Sequence, residues 1–441
     1  MSKYDRFFQE AAASGIKASE LYISDTKELS FSLFHNEIVE FSDNSSQRII
    51  ARGLVGDKFG SASSHVWSNE KCHYLVEQIK ANGEVIEADD PAIIFEGSPK
   101  YKKVNTYAKT IKAVSTEEKI AIAQQIEAKI RALDPRIVEV EGVQYSESEH
   151  LVTILNSKGL KLNQKTNYFV LYAGAVASEN GQVKSNYELF FGQNPQDINI
   201  DEFAKKVVDK TVAELGGEAC PTGSYKVVLA PNVAASLLMA YLSNASAEDI
   251  QKKSSLFIGK LDQAVASKKL TVEELPLAKT VFARSFDDEG VATFNKKIVD
   301  KGLLRTYIYD LASAKKENIA STGNGYRSGQ GISAGFSYLA VKPGKLSQDE
   351  LFAKVGNGVY ITSVQGLHAG LNAMSGNFSL QSTGFLIKDG KLDHGLDLVT
   401  VSGNLGQLFM AVEEVGSDAK LLPQKISCPS LVIKKLNISG K

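Results

Sequence analysis

The sequence predicts an α+β protein. Strand-like runs of alternating apolar and polar residues recur along the 441-residue chain, capped amphipathic helices lie between them, and a glycine-rich late section supplies tight turns. A chain of this length exceeds what one core usually serves, so two or three domains are expected. With 43% hydrophobic and 23% charged residues, the composition is that of an ordinary globular protein. The expected division is an N-terminal unit at 1–114, a central unit resembling it at 115–221, and a strand-rich α+β domain at 222–441.

Strand-like runs begin at Leu21 and continue to Ser64 as LYIS, LSFSLF, EIVEF and QRIIARGLVG, with polar segments such as SDNSS read as turns. Ser68 is placed to cap a helix carrying Cys72, Leu75, Val76 and Ile79 on one face, and Asn82-Gly83 is its expected stop. A connector, Gly83 to Val114, leads to a helix opened by the capping box Ser115-Thr116-Glu117-Glu118 and ended by Asp134-Pro135. VQYSESEHLVTIL, GLKL and YFVLYAGAV then read as strands, and Phe203, Val207, Val208, Val212 and Leu215 as the apolar face of another helix. An offset of about 122 residues sets LYISDTKELSFSLF beside QYSESEHLVTIL and QRIIARG beside FVLYAGA, so the second unit reads as a duplicate of the first.

Gly216-Gly217 and Pro221 punctuate the next boundary, after which Tyr225 to Leu229 opens the C-terminal domain. Helices are expected around Ala234 to Leu242 and Ser347 to Val355, and strands at LLRTYIYDL, YITSV, FSLQSTGFLI and LVIKKLNI. Of the 35 glycines, 12 lie between Gly323 and Gly384, where tight turns or a close backbone approach would require them.

Lys plus Arg (50) nearly cancels Asp plus Glu (51), which removes the electrostatic footprint of non-specific nucleic-acid or membrane-surface binding. The most apolar run, Val227 to Leu242, is too short and too interrupted by Pro231, Asn232 and Ser236 to span a bilayer. The opening MSKYDRFFQEAAASG is amphipathic and mixed in charge, unlike a secretory signal. Three distant cysteines, Cys72, Cys220 and Cys428, suggest neither a disulfide framework nor a zinc knuckle. The expected location is cytoplasmic.

Neither HExxH nor HExxxH occurs, and the six histidines are isolated, so no metal is expected in this chain. Gly331-Ile332-Ser333-Ala334-Gly335 matches the G-x-S-x-G nucleophile elbow, but FSYLAVKPG after it reads as a strand, whereas an elbow turns into a helix. Asp287-Asp288-Glu289 before Gly290 could bind a cation or serve as acid and base; a solvated turn between strands is the plainer reading. Gly323-Asn324-Gly325-Tyr326-Arg327 lacks the GxGxxG spacing of a dinucleotide site. His368, Asn372, Ser375 and Asn377 form the candidate peptide-binding set, because small residues there would expose backbone to a ligand. A histidine that only caps a turn through its ring nitrogens is the alternative.

On several segments the sequence resembles the TldD/TldE family, whose TldE members are also called PmbA and carry the label modulator of DNA gyrase. They are Ser285-Phe286-Asp287-Asp288-Glu289-Gly290, Lys301-Gly302-Leu303-Leu304, Ser321-Thr322-Gly323-Asn324-Gly325, Gly366-Leu367-His368-Ala369-Gly370, Ser375-Gly376-Asn377-Phe378-Ser379, Ser402-Gly403-Asn404 and Val415-Gly416-Ser417-Asp418. The resemblance implies a cytosolic zinc-dependent peptidase of two related subunits that cleaves unfolded peptides in a shielded chamber. Zinc belongs to TldD alone. The family's His-Glu-x-x-x-His would fall near Met239-Ala240-Tyr241-Leu242-Ser243-Asn244, where no ligand stands, and Cys428 opens a last strand that in the family follows the ligand cysteine. The resemblance thus implies a metal-free subunit with a zinc-bearing TldD-like partner. A free-standing peptide-binding or regulatory protein and a hydrolase using Ser333 are the alternatives.

Overall fold

The computed structural model describes residues 3–87 and 90–440. Helix α1 (Asp5–Ala13) precedes β1 (Ser19–Phe34), β2 (Glu37–Val55) and β3 (Lys58–Ser64), and α2 (Asn69–Val85) follows. After the short α3 (Thr110–Ala113), the same series returns as α4 (Thr116–Leu133), β4 (Ile137–Asn156), β5 (Lys161–Glu179), β6 (Gln182–Gly192) and α5 (Ile200–Val212). The strands form one six-stranded antiparallel sheet, β3-β2-β1-β4-β5-β6, in which the first strands of the two units pair at the centre. The repeat extends to register. Ser30 faces Ser42 in the first hairpin and Val152 faces Gln164 in the second, at the offset read from the sequence.

Strand alternation sorts this sheet into two faces. Leu21, Ile23, Phe31 and Leu33 of β1, with Val143, Tyr145 and Leu155 of β4, point to the side covered by the helices. There α2 buries Cys72, Leu75, Val76 and Ile79, and α4 buries Ala123, Ile126 and Ile130. The expected caps are present: the Ser68 side chain accepts from Lys71 N–H, and Ser115 and Glu118 form a reciprocal capping box. On the opposite face Tyr22, Val152, Ile154 and Leu160 pack with Tyr101 and Phe286, so the sheet docks on the C-terminal part.

Four local expectations change; the first is that α5 ends at Val212 and leaves Leu215 outside it. SDNSS is not a turn, because β1 pairs with β2 without a break from Ser19–Gly53 to Ser32–Glu40 and carries it through as strand. LLRTYIYDL forms only the strand Leu303–Leu304 before Asp310 caps the helix Leu311–Lys316. Asn82-Gly83 does not stop α2, which continues to Val85. Glycine is needed on both sides of the contact between α2 and the β2–β3 hairpin: a Cβ on Gly83 would lie 2.7 Å from the Val55 side chain, and one on Gly60 only 1.7 Å from Ile79 O.

β7 (Gly223–Leu229) opens the C-terminal part. Gly358–Gln365, β7, Leu431–Ser439, Val399–Asn404 and Asn377–Lys388 pair in that order, and Asn377–Lys388 also pairs with Gly358–Gln365, closing the five strands into a ring. A second, six-stranded sheet contains Val272–Glu274, Leu339–Val341 and Ile426–Cys428. Helix α6 (Pro231–Leu242) packs against both Gly358–Gln365 and Ile426–Cys428. It buries Val233, Ala234, Leu237, Leu238, Tyr241 and Leu242, apolar nearly all round as an enclosed helix must be. Among the described residues no helix is long and apolar enough to cross a membrane.

The contact of β3 with α2 yields a stability test. Gly60→Ala forces its new methyl against the Ile79 carbonyl, and the overpacking is expected to cost about 1–3 kcal/mol. The readout is the urea midpoint; an unchanged midpoint would show that α2 can lift from β3 freely.

Candidate functional site

The sequence-derived peptide-binding set lies beside one mouth of the closed ring. Gly366, at φ 76°, turns the chain into the short helix Leu367–Gly370. His368 on that helix is exposed and makes no hydrogen bond among the described residues. Asn372, Ser375 and Asn377 share one turn. The Asn372 side-chain oxygen accepts from Ser375 N–H at 2.9 Å, Ser375 Oγ from Asn377 N–H at 3.3 Å, and Asn377 Oδ1 from Asn404 Nδ2 at 2.9 Å. Gly370, Asn372, Asn377 and Ser379 line a shallow open depression. The structure therefore gathers three of the four residues, commits much of their polar capacity to the turn, and leaves the His368 ring free.

Ser333 stands in the middle of the strand Gly331–Ala334, opposite Tyr326 in a two-stranded hairpin. No helix follows it, so the strand-to-helix geometry of a nucleophile elbow is missing. The zinc-helix position also fails a chemical fit. Tyr241 stacks on Phe409 at 5.0 Å, meets Phe257 edge-on at 4.8 Å, and donates its hydroxyl to Val265 O at 2.7 Å. Asn244 is occupied by backbone bonds to Tyr241 and Leu256. Cys428 is buried, points its thiol at Pro429 O, and burial pushes its ionisation far up. These residues do not suit zinc, which wants thiolate, imidazole or carboxylate donors around one point. Among the described residues no group of three or more His, Cys, Asp or Glu could hold a metal ion.

The chemistry-bearing cluster that sequence reasoning understated is the acidic turn 287–289. It is not solvated: Asp287, Asp288 and Glu289 are 1%, 5% and 4% exposed, because the N-terminal sheet covers them. Asp287 accepts backbone N–H bonds from Glu289, Val291 and Gly325 at 2.8–3.0 Å. Asp288 accepts from the Tyr22 hydroxyl at 3.1 Å, from Arg284, and from Arg327 N–H at 2.9 Å. Around it, Arg52 Nε donates to Glu20 Oε1 at 2.7 Å, and the Arg327 guanidinium lies over the Tyr22 ring. The sequence signal was the run of three acids before glycine; the partners, up to 266 positions away, were not readable.

Burial alone would raise all three acids, but their surroundings separate them. Burial opposes charge on Asp288, yet the Arg284 guanidinium outweighs it and holds the carboxyl below its usual value. Burial pushes Asp287 up to about 7 against its three N–H donors. Burial, then the Asp287 charge, pushes Glu289 up to about 8, with Arg52 opposing. Three N–H donors favour Asp287 as the carboxylate, so the proton of the pair rests on Glu289 near neutrality.

Comparison with known proteins gives first the class, that of the metallopeptidases. Residues 222–440 match the PmbA/TldA metallopeptidase C-terminal domain and residues 109–215 the PmbA/TldA metallopeptidase central domain. Metalloprotease PmbA of Escherichia coli O157:H7 is 25% identical over 330 residues, covering 74% of this chain and 71% of that protein. A Thermotoga maritima MSB8 structure, provisionally described as a modulator of a DNA gyrase, superposes with a TM-score of 0.91 at 29% identity over 99% of both chains. TldE from Thermococcus kodakarensis gives a TM-score of 0.91 over 100% of both chains, a likeness of fold at 21% identity. The chain belongs to the PmbA/TldD metallopeptidase family.

The proton on Glu289 makes stability depend on pH. Its folded value near 8 stands above the ordinary 4.5, so the folded chain binds more protons than the unfolded chain between those limits. Stability is therefore highest below that window and is lost as pH rises through about 8. Glu289→Gln keeps an acceptor for Leu311 N–H while removing the titration, so its unfolding free energy should fall less between pH about 5 and 9 than that of the parent. Equal slopes in denaturant titrations across that range would place the proton elsewhere.

Proposed function

We propose that this chain is the metal-free, TldE-like subunit of a TldD/TldE-type peptidase pair acting in the cytoplasm on unfolded peptides. Zinc and the general base come from a TldD-like partner, and this chain shapes the chamber and holds the substrate extended. The observation that carries the reading is the side-chain set at the end of α6. Where the family resemblance expects two imidazoles and a carboxylate stand Met239, Ala240 and Asn244: a thioether, a methyl group, and an amide tied to backbone, beside a Tyr241 ring packed against Phe257 and Phe409. The helix keeps its place in the core while its surface chemistry serves packing.

In this reading residues 1–114 and 115–221 are two copies of one strand-bearing unit, and residues 222–441 carry the peptidase-type scaffold. His368, Asn372, Ser375 and Asn377 contact the peptide, with the His368 ring as the free polar group. The near-zero formal net charge of -1 gives no electrostatic reason for direct DNA contact, whatever the gyrase label of a relative.

The deciding experiment mixes this chain with a HExxxH-bearing homologue and follows cleavage of a labelled disordered peptide, with size-exclusion chromatography for assembly. The mixture is expected to cleave and this chain alone to stay inert and zinc-free by elemental analysis. Chelator-sensitive cleavage by this chain alone, or full activity of the homologue without it, overturns the division of labour. In the assembled pair, His368→Ala should slow processing while shifting the unfolding free energy of this exposed site by no more than about 0.5 kcal/mol. A large stability loss with normal processing would make His368 structural.

A further inference from the structure

β2 and β5 are equivalent strands of the two repeats, yet their outer edges end differently. β3 pairs only with Ile49–Val55 of β2, and β6 only with Phe169–Glu179 of β5, so each strand has an earlier stretch that its hairpin partner leaves bare. In β5 the later part of that stretch is covered. Thr106 pairs with Thr166 as a parallel bridge, Asn167 N–H donates to Thr106 O at 3.2 Å, and the Gln164 side chain bonds Ala283 O and Ser285 N–H at 2.7 and 2.9 Å. In β2 the corresponding residues, 37–46, have β1 on one side and no backbone partner on the other among the described residues. All but Ser42 are exposed.

This bare edge has a definite chemistry. Ile38, Val39 and Phe41 are 46%, 57% and 53% exposed, side by side with Glu37, Glu40 and Asp43 and with no Lys or Arg between His35 and Arg48. Edge strands are ordinarily protected by lysine, proline or a covering segment, and this one has none of these along 37–46. Pairing with a second copy of itself would set acid against acid across the new ladder, which is unfavourable. The three acids call for a cationic partner, and the connector that bridges β5 at Thr106 supplies a sequence of that composition to test: Tyr101-Lys102-Lys103-Val104-Asn105-Thr106-Tyr107 is cationic, with aliphatic and aromatic side chains.

We propose that residues 37–46 of β2 accept an extended polypeptide strand that carries Lys or Arg together with apolar side chains. Backbone hydrogen bonds to the free edge supply affinity, Glu37, Glu40 and Asp43 select the cations, and Ile38, Val39 and Phe41 take the apolar groups. The inference deepens the reading of this chain as the substrate-holding subunit, on which it rests, by naming a peptide class and the edge that receives it.

The test is fluorescence polarisation on the intact chain with a labelled peptide of sequence YKKVNTYAK and its counterpart with Glu in place of each Lys. The lysine peptide is expected to bind saturably and more weakly as salt rises, and the glutamate peptide about tenfold or more worse. The combined variant Glu37→Lys, Glu40→Lys, Asp43→Lys should lose the lysine peptide by a similar factor with its thermal unfolding unchanged, as should Phe41→Ser to a smaller degree. Equal binding of both peptides overturns the proposal. So does unchanged binding by the triple variant, which would put the peptide at the Thr166 edge by exchange with the connector. A dimer in sedimentation that Phe41→Ser dissolves would assign the edge to a second copy and also overturn it. Cleavage by the mixture with a HExxxH-bearing homologue is measured in parallel: peptide binding without cleavage in the pair counts against the proposed function and leaves the edge standing.

Discussion

Asp288 draws its donors from three places in the chain: the Tyr22 hydroxyl on β1, the Arg284 guanidinium in its own loop, and the Arg327 amide in the hairpin that begins at Gly325. A carboxylate buried to this degree is tolerable only while its donors stay, since removing one leaves charge uncompensated in a medium that solvates it poorly. The N-terminal sheet, the acidic loop and the hairpin are thereby obliged to assemble together. Asp287 tightens the same joint through Gly325 N–H, and Gly325 must be glycine because a Cβ there would meet the Glu289 carboxylate at 2.5 Å. Two of the segments that carry the family resemblance, 285–290 and 321–325, belong in three dimensions to one clamp between the sheet and the C-terminal part.

A second buried acid shows the same logic within the C-terminal part. Glu274 is fully enclosed, and Lys296, Asn324, and the amide and hydroxyl of Ser337 satisfy both of its oxygens. Asn324 also accepts from Thr322 and donates to Gly335 O, so the strand Val272–Glu274 is tied to both ends of the hairpin. Its neighbours Gly323 and Gly325 give the backbone room to reach the two acids at once. Position, rather than exposure, is what these charged groups provide.

Duplication gives the N-terminal sheet its symmetry, and the C-terminal part breaks it. Both repeats share strand order and hairpin register, but β5 carries the connector and the docking contacts with Ala283 and Ser285 while the matching edge of β2 faces outward. One copy of the unit is thus consumed in joining the molecule together and the other is left available. The same economy is visible in α6, whose place against the closed ring is kept by Val233, Leu237 and Leu238 whatever stands at its end. A scaffold held by apolar packing fixes the helix independently of the side chains at its end.

What the sequence determined by itself is the part of the structure governed by near neighbours. Ser68 and Ser115 cap the helices where the local pattern put them, α4 and α6 form from their own periodicity and apolar content, and the hairpin repeat was visible as an offset because it is written twice. The errors came where pairing or burial is imposed from far along the chain. SDNSS is turn-like in composition, yet β1 supplies a full ladder and holds it extended; the acids 287–289 are turn-like too, yet a sheet from residues more than two hundred positions earlier removes them from water. Tertiary structure alone decided which strand edge stays open, which carboxyl keeps a proton, and that His368 keeps a free ring while Asn372, Ser375 and Asn377 close a turn. The physical reason is that solvation and backbone pairing are set by whatever comes to lie alongside a segment, and local sequence carries no record of that.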